Sequence, residues 1–336
     1  MFPSSLRRPL TVLSTLAFTF TLTSLSFAAV ELKQEAEQVR VEIDGHLFTE
    51  YHFAGARRPY LYPIIGPTGG TMTRHWPLED DLPNEAHDHP HHKGLWYGHR
   101  NVNGVEFWGD VLQPNETGGQ MIHDGFLEIQ GGEQQGSLRA KNKWVVDNTG
   151  EVICTDERTL RFTKDPGGPM IDFEITIKAG PKDVVFEDDK DGCMSIRVPE
   201  TMRVELPRPK GAKVTPHGEG HIVTSEGKQD LAAWGTRANW CDYYGPVDGQ
   251  TAGVAMFDHP GNPRHPTWWH VRTYGLFSAN PFGQSMFEKL PDKHAGDFTI
   301  PAGQSSTFRY RFYFHPGDTE KAKVAEHYAA YVSSVK

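Results

Sequence analysis

Five of the chain's seventeen histidines fall within "HDHPHHKGLWYGHRNVNGVEFW", which runs from residue 87 to 108. An imidazole titrates near neutral pH, with an ordinary pKa of about 6.5, so such a cluster can donate and accept protons in a reaction. Imidazoles are also common metal ligands. The segment therefore predicts an acid/base site around an organic substrate or a metal site. Packing within an unusual loop is the non-functional alternative.

Charged side chains stand among these histidines. Lys93 and Arg100 add positive charge that can stabilise a developing oxyanion, and packing alone does not explain them. Glu106 follows at the end of the segment and can act as a general base. These residue types together favour acid/base chemistry.

The same segment contains the parts of a sugar site. The pair Asn103–Gly104 predicts a tight hairpin turn, which folds Trp108 back towards the strand that contains Trp96. A sugar ring stacks its C–H face on an aromatic surface while polar groups hold its hydroxyls. We therefore expect a small-molecule or glycan substrate, bound by Trp96, Arg100, Asn103 and Trp108. Tryptophans at alternating strand positions also serve as core residues, and that alternative stays open.

The metal alternative depends on His87, His89 and His91. Pro90 favours an extended chain at His89, so the three rings would point the same way. A rise of ~3.3 Å per residue separates neighbouring rings by about 6.6 Å, so two of them can share one divalent metal ion but three cannot. A distant residue would complete the site, and the candidates are Glu106, His259 and His270. The acid/base alternative requires no cofactor.

A second dense stretch is "DHPGNPRHPTWWHVRTYGLFSANPFG", residues 258 to 283. Asn262 and Asn280 each precede a proline and predict turns, while Trp269 to Tyr274 has the pattern of a strand. His270 and Arg272 would share one face of that strand. The arginine suits bidentate contact with a carboxylate or vicinal hydroxyls, or it bridges strands through carbonyl groups.

The elements that must position these residues are strands. In "MIDFEITIKAG" and "STFRYRFYFHPG" apolar and polar residues alternate, which is typical of half-buried antiparallel strands. In the second stretch Phe308, Tyr310, Phe312 and Phe314 would face inward, and Arg309, Arg311 and His315 outward. With 34 glycines and 24 prolines between short strands, the chain is predicted to be an all-β protein, an antiparallel β-sandwich that forms a single domain over 29–336. One C-terminal α-helix is predicted, with Asp318 as its cap and Ala322, Ala325, Tyr328, Ala329 and Val332 as its apolar stripe.

The first residues predict export. Arg7 and Arg8 precede an apolar stretch, and Ser26-Phe27-Ala28 has the small residues of a cleavage site, so 1–28 is predicted to be a signal peptide of a periplasmic or secreted protein. The stretch is too short and polar for a membrane anchor. A net charge of -9 disfavours nucleic acids and anionic membrane surfaces as partners. The three cysteines, Cys154, Cys193 and Cys241, allow one disulfide, and the sequence does not determine which two would form it.

Four stretches together resemble one family. "YPIIGPTGGTMTRHWP", the histidine-rich segment, residues 253–283 and the terminal "YRFYFHPG" resemble the DUF6807 family, exported bacterial proteins also labelled methane oxygenase PmoA-like, whose activity is undefined. The sequence has no transmembrane helix, which argues against methane oxidation by a membrane enzyme. The resemblance implies a carbohydrate-active sandwich of the galactose mutarotase-like type.

The resemblance also implies the membership of the site. It places His91, His92, Lys93, Glu106, His270 and Arg272 in one pocket as catalytic residues, with Asn262 and Asn280 at the rim. We therefore expect an enzyme of epimerase, hydrolase or lyase type that uses His/Glu acid/base chemistry. A His-ligated metalloenzyme and a non-catalytic glycan-binding protein are the alternatives.

Overall fold

A computed structural model describes Met1 and residues 29–79, 82, 85–210 and 213–334. The predicted signal peptide therefore lies outside the described residues, apart from Met1. The described part of the chain contains twenty strands. They are β1 (Val30–Gln34), β2 (Gln38–Ile43), β3 (His46–His52), β4 (Tyr60–Ile64), β5 (Leu95–His99), β6 (Asn101–Val102), β7 (Val105–Glu106), β8 (Thr117–Gln130), β9 (Gln135–Val146), β10 (Val152–Thr163), β11 (Met170–Ala179), β12 (Val184–Phe186), β13 (Gly192–Arg197), β14 (His221–Thr224), β15 (Trp240–Val247), β16 (Gln250–Asp258), β17 (Trp268–Val271), β18 (Leu276–Asn280), β19 (Phe298–Ile300) and β20 (Ser305–Pro316).

Two sheets form a sandwich, which confirms the predicted all-β class. The smaller sheet has eight strands in the order β1-β2-β3-β4-β5-β13-β18-β17. The larger has twelve, in the order β14-β15-β16-β20-β11-β10-β9-β8-β7-β6-β12-β19. Neighbouring strands are antiparallel, except that β7 and β8 run parallel. Aromatic side chains join the sheets: the rings of Phe48 and Phe314 lie 6.1 Å apart, and those of Tyr97 and Trp144 lie 6.3 Å apart.

The alternation that predicted two strands is present in both. In β11, Ile171, Phe173, Ile175 and Ile177 are buried while the residues between them are half-exposed. β20 pairs with β11 so that Phe173 stands opposite Tyr310. His315 lies on the same face of β20 as Arg309 and Arg311, yet it is fully buried. The expectation that it meets solvent is wrong, because the C-terminal segment covers this end of the sheet.

The C-terminal helix, α2, spans Val324–Ser334 and confirms the prediction of one helix there. It begins later than expected, because Lys323 has a left-handed φ of 51° that interrupts helical geometry. The Asp318 carboxylate accepts a hydrogen bond from the Lys321 amide at 2.9 Å, so it closes the preceding turn. Val324 and Tyr331 pack on the sheet, whereas Ala325 and Ala329 are exposed and lie outside the apolar stripe.

Short elements complete the described chain. A four-residue helix, α1 (Gln284–Phe287), and two 3₁₀ turns, Glu200–Met202 and Asp230–Ala233, connect strands. The three cysteines are buried and free. Within the described ranges, the helices are too short and too polar to cross a membrane.

One row of residues runs across the smaller sheet on its outer face. Opposite partners in neighbouring antiparallel strands point to the same side of a sheet. The pairs Tyr60–Trp96, Trp96–Ser195, Ser195–Ser278 and Ser278–His270 therefore share one face. Tyr97, on the opposite face, belongs to the core between the sheets. The candidate site lies on the outer face that contains His270.

Candidate functional site

A cleft of about 590 Å³ opens on this outer face. Its walls come from the histidine loop (residues 86–94), the segment 100–116, the segment 190–191 and the turn from β17 to β18. The cleft thus joins parts of the chain that lie far apart in sequence. The lining residues are His89, Pro90, His91, His92, Arg100, Glu106, Trp108, Gly109, Val111, Gln113, Glu116, Lys190, Asp191, His270, Arg272, Tyr274 and Leu276.

A column of four stacked rings forms one wall. Its order is Tyr274, His89, His92 and Trp96, with successive ring centroids 5.3, 4.7 and 5.3 Å apart. Interplanar angles of 6°, 6° and 22° make these contacts parallel stacking. His91 meets the ring of His92 edge-on at 4.4 Å. The column gives the cleft a flat aromatic side next to polar ring nitrogens.

Buried arginines determine the shape of the histidine loop. Arg74 donates hydrogen bonds to the Ala86, Asp88 and His89 carbonyl oxygens at 3.2, 2.9 and 3.0 Å, and it pairs with the Asp88 carboxylate. Arg58 donates to the His91 carbonyl oxygen at 2.8 Å. These side chains satisfy backbone oxygens that a loop without regular structure would leave unpaired.

The loop ends at a required glycine. Gly94 has a φ of 54°, and a Cβ there would lie 2.0 Å from the Leu61 carbonyl oxygen. Only glycine fits this close approach without moving the neighbouring strand. Position 94 therefore fixes where the loop joins β5.

Two neighbouring histidines of the cleft, His91 and His92, are held neutral. Burial, followed by the Arg58 charge, lowers the pKa of His91 to about 3. Burial, followed by His91 and Arg197, places the pKa of His92 well below its ordinary value. Arg197 donates to His92 Nδ1 at 3.3 Å, so the proton of this neutral ring sits on Nε2. Neutral imidazoles can both donate and accept protons.

His270 and Asp191 form a loose pair. Burial lowers the pKa of His270 to about 4, against the opposing effect of the Asp191 charge. Its Nδ1 lies 4.0 Å from Asp191 Oδ1 and has no hydrogen-bond partner within the described chain. Burial alone would raise the pKa of Asp191, but the charge and hydrogen bond of Lys190 and the charge of Arg100 lower it. The Nδ1 atom is therefore buried beside a charged carboxylate, while the ring itself lines the cleft.

The pKa of Glu106 is shifted in the direction opposite to that of Asp191. Burial raises its pKa, although the amides of Trp108 and Gly109 donate to Oε1 at 2.6 and 2.8 Å. Oε1 is therefore committed to the local turn, and Oε2 lies 3.5 Å from Arg100 Nε. Arg100 also contacts Asp191 at 3.5 Å. Two carboxylates with opposite pKa shifts flank one guanidinium, an arrangement that separates an acid from a base.

Of the residues expected in the pocket, His91, His92, Arg100, Glu106, Trp108, His270 and Arg272 line this cleft. Lys93 does not, because its ammonium pairs with Asp110 at 2.9 Å. Trp96 is buried beneath the cleft as the base of the ring column.

The three asparagines also differ from expectation. Asn103 forms the predicted turn, but its side chain bonds to the backbone of Asp183 and Val185, away from the cleft. The Asn262 amide bonds to Asp258 and to the Arg309 backbone, so it fastens another loop. Asn280 does not line the cleft either, but it binds the backbone of a segment that does.

Asn280 positions a wall of the cleft without lining it. Its amide donates to the Asp189 and Lys190 carbonyl oxygens at 2.9 and 2.8 Å. These bonds hold the segment that presents Asp191. The sequence reasoning missed Asp191, although the acidic stretch "EDDKDG" before a buried strand was a usable signal. It also missed Arg197, whose signal is an arginine at the end of the fully buried strand β13.

Alternative metal ligands in the histidine loop have other neighbours. The extended run that would align them is absent, because His89 has a left-handed φ of 45° and the chain turns at Pro90. His87 stacks on Trp76 at 4.1 Å, and the rings of His89 and His91 stand 5.8 Å apart at 76°. Over residues 29–79, 82, 85–210 and 213–334, no three His, Cys, Asp or Glu side chains are grouped to hold a metal ion.

Several solved structures resemble this chain. A polysaccharide lyase has 12% identity and a TM-score of 0.34, with 89% of this chain and 34% of the lyase covered. A galactose mutarotase related enzyme from Lactobacillus acidophilus has 8% identity and a TM-score of 0.30, with 85% and 97% covered. A 4-α-glucanotransferase from Thermococcus litoralis has 11% identity and a TM-score of 0.26, with 87% and 38% covered. The chain thus spans about a third of the lyase.

No curated protein matches the sequence. A family model does, over residues 38–329, and its description is "Family of unknown function (DUF6807)". The match covers most of the chain, including both dense stretches that build the cleft. The chain therefore belongs to the DUF6807 family.

Proposed function

We propose that this protein is an exported enzyme that acts on a carbohydrate or sugar-derived substrate by acid/base chemistry in the cleft. One observation carries the proposal. Neutral, buried imidazoles from two distant segments line the same cleft as two carboxylates whose pKa values are shifted in opposite directions. Perturbed groups gathered in one concave site are typical of catalytic centres.

The shape and chemistry of the cleft favour a sugar. Its volume of about 590 Å³ falls within the range of small-molecule sites, about 300–1,000 Å³. Trp108, Tyr274 and Leu276 supply apolar surface, and carboxylates and imidazoles supply directed hydrogen bonds on the other walls. A sugar ring has one apolar face and a rim of hydroxyls, so it matches both kinds of surface.

Roles follow from the charges. His270 is the proposed base, because its ring lines the cleft and the Asp191 carboxylate near Nδ1 would stabilise the imidazolium that forms. Glu106 is the proposed acid, since burial raises its pKa. His91 and His92 would bind or relay protons to the substrate hydroxyls. Proton removal and donation at a sugar carbon or oxygen serve epimerisation, hydrolysis and elimination alike.

The test is turnover of a saccharide panel by the full chain and by His270→Gln. Products are followed as reducing ends, as unsaturated sugars by ultraviolet absorbance and as epimers by NMR. The matched control is His221→Gln, whose ring is exposed on β14, away from the cleft. We expect wild type and the control to turn over the same substrate, and His270→Gln to be slower by about 10²- to 10⁴-fold with an unchanged melting temperature.

Three results would contradict the proposal. Equal turnover by His270→Gln would remove its base, and unfolding of that variant would support a packing role. Saccharide binding without any turnover would instead favour the non-catalytic glycan-binding alternative.

A further inference from the structure

Positive groups of the cleft differ in how well they are neutralised. Lys190 Nζ lies 2.8 Å from both Asp191 oxygens. Arg100 contacts four carboxylates, at 3.5, 2.6, 3.9 and 3.5 Å, which belong to Glu106, Glu116, Asp189 and Asp191. The Arg272 guanidinium has no ion pair and donates no side-chain hydrogen bond to any residue that the structure describes. Its charge is therefore available to a ligand.

Aromatic rings orient the Arg272 guanidinium. Its carbon lies over the Tyr274 ring at 5.5 Å and over the Trp234 ring at 5.8 Å. Such cation–π contacts use none of the N–H hydrogen bonds of a guanidinium, so its N–H edge can still donate to a ligand. The edge of a guanidinium matches a carboxylate through two parallel hydrogen bonds. Among the residues that the structure describes, the Arg272 guanidinium is thus free and oriented to bind a carboxylate.

Two cleft residues near Arg272 in sequence, His270 and Tyr274, carry no negative charge themselves. Burial raises the pKa of Tyr274, so its phenol stays protonated at neutral pH. His270 is neutral and its Nδ1 is without a partner. By contrast, the carboxylates of the cleft surround Arg100 and Lys190. Because the charges of Arg100 and Lys190 are already paired, an anionic ligand would be attracted more strongly to Arg272, which orients the ligand in the cleft.

We propose that Arg272 binds the carboxylate of an acidic sugar, so that the substrate is a uronic-acid-containing carbohydrate. The inference rests on the proposed function and specifies its substrate class. In this arrangement the acid group would contact Arg272, and the sugar hydroxyls would contact the carboxyl groups of Glu106 and Asp191. A carboxylate accepts two parallel hydrogen bonds from one guanidinium edge, and the sulfated analogues in the experiment below distinguish it from the other anions that such an edge can bind.

Calorimetric titration tests this inference with matched ligands. The ligands are oligosaccharides that contain glucuronate or galacturonate, the methyl ester of each, the neutral counterparts and sulfated analogues. The proteins are wild type, Arg272→Gln, Arg272→Lys and Arg208→Gln, which removes the same charge from an exposed loop. We expect wild type and Arg208→Gln to bind one acid about 10- to 100-fold more tightly than its ester. Arg272→Gln should bind acid and ester equally, and Arg272→Lys should keep part of the preference.

The outcomes separate this inference from the proposed function. If wild type turns over neutral sugars and shows no preference for the acid, or if Arg272→Gln keeps the preference, the inference is overturned while the enzyme proposal stands. Tighter binding of the sulfated analogue overturns the carboxylate assignment. If no saccharide of any charge binds or reacts, the proposed function fails and this inference fails with it.

Discussion

Two regions of this molecule bury histidine side chains in opposite ways. In the cleft, His270 is 2% exposed and its nearest carboxylate oxygen stands 4.0 Å away. Beneath the C-terminal segment, His315 is fully buried and its Nε2 lies 2.9 Å from Asp242 Oδ1. Thr319 donates to the other oxygen of Asp242 at 2.6 Å. One histidine faces a space that a ligand can fill, and the other is part of a closed network.

The difference shows what burial alone can and cannot reveal. Burial lowers the pKa of His270 to about 4. Burial would do the same to His315, but the charge and hydrogen bond of Asp242 raise its pKa above the ordinary value. An intimate carboxylate converts a buried imidazole into a stable cation, which holds two segments together. A buried imidazole without such a partner remains able to exchange protons.

The largest effect is expected from removing the charge beside His270. Asp191→Asn should slow turnover of the panel substrate by about 10²- to 10⁴-fold, because the imidazolium of the proposed base loses its counter-charge. Steady-state kinetics measure the loss, and Glu133→Gln at an exposed position is the charge control. Turnover at the wild-type rate would end the proposed role of the pair.

Substitutions in the closed network should lower the stability of the protein and leave its activity unchanged. Asp242→Ala should lower the free energy of unfolding by about 3–5 kcal/mol, since it leaves a buried cation without its partner. Asp242→Asn should cost less, because the amide oxygen can still accept from His315. Denaturant titration measures both, and turnover per folded molecule should not change. A loss below about 1 kcal/mol for Asp242→Ala would show that the network is not an ion pair.

Acidification should lower the free energy of unfolding through the cleft histidine and not through the histidine of the closed network. The pKa of His270 falls from 6.5 to about 4 on folding, so its share of the stability is complete above pH 6.5 and is lost as the pH drops from 6.5 towards 4. Unfolding free energies measured between those pH values should therefore fall more steeply in wild type than in His270→Gln. The difference should approach about 1.4 kcal/mol per pH unit, the value for one proton. Parallel curves would contradict the neutral state of this ring.

Alkaline conditions should act on the other histidine. The folded pKa of His315 is raised, so its contribution is complete below pH 6.5 and is lost as the pH rises through the folded value. Denaturant titrations above pH 6.5 should show a loss of stability in wild type that His315→Gln lacks. Identical pH dependence in the two proteins would mean that His315 is not charged.

The smallest expected effect concerns metals. Protein purified without a histidine tag should contain less than one divalent ion per chain, and a chelator should leave turnover unchanged. Elemental analysis and kinetics before and after chelation measure this. One bound ion per chain, with activity lost on its removal, would favour the metalloenzyme alternative.

Local sequence patterns predicted many of the strands and turns of the β-sandwich. Alternation located β11 and β20, and Asn103–Gly104 predicted the turn from β6 to β7, where Asn103 has a φ of 52°. These features depend on neighbours in sequence. The buried state of His315 depends on a carboxylate 73 residues away, so alternation could not predict it.

Part of the site could also be predicted, because some of its features depend on residues that are close in sequence. The two dense stretches that meet in the cleft were visible as clusters of chemically capable residues. The course of the histidine loop was not, because Arg58 and Arg74 hold its carbonyl groups from other parts of the fold. Spacing on an extended chain therefore gave the wrong relation between His87 and His91. The pairing of Lys93 with Asp110 was likewise a tertiary contact that the sequence did not indicate.

The column of rings gives the molecule a built-in optical signal. Trp96 lies at its inner end and Tyr274 at the cleft, with His89 and His92 between them. A bound molecule that shifts His89 would change the surroundings of the Trp96 indole through direct ring contacts. Light emitted by this tryptophan can then report when the cleft fills, without any attached dye, and Trp96→Phe identifies its share among the eight tryptophans.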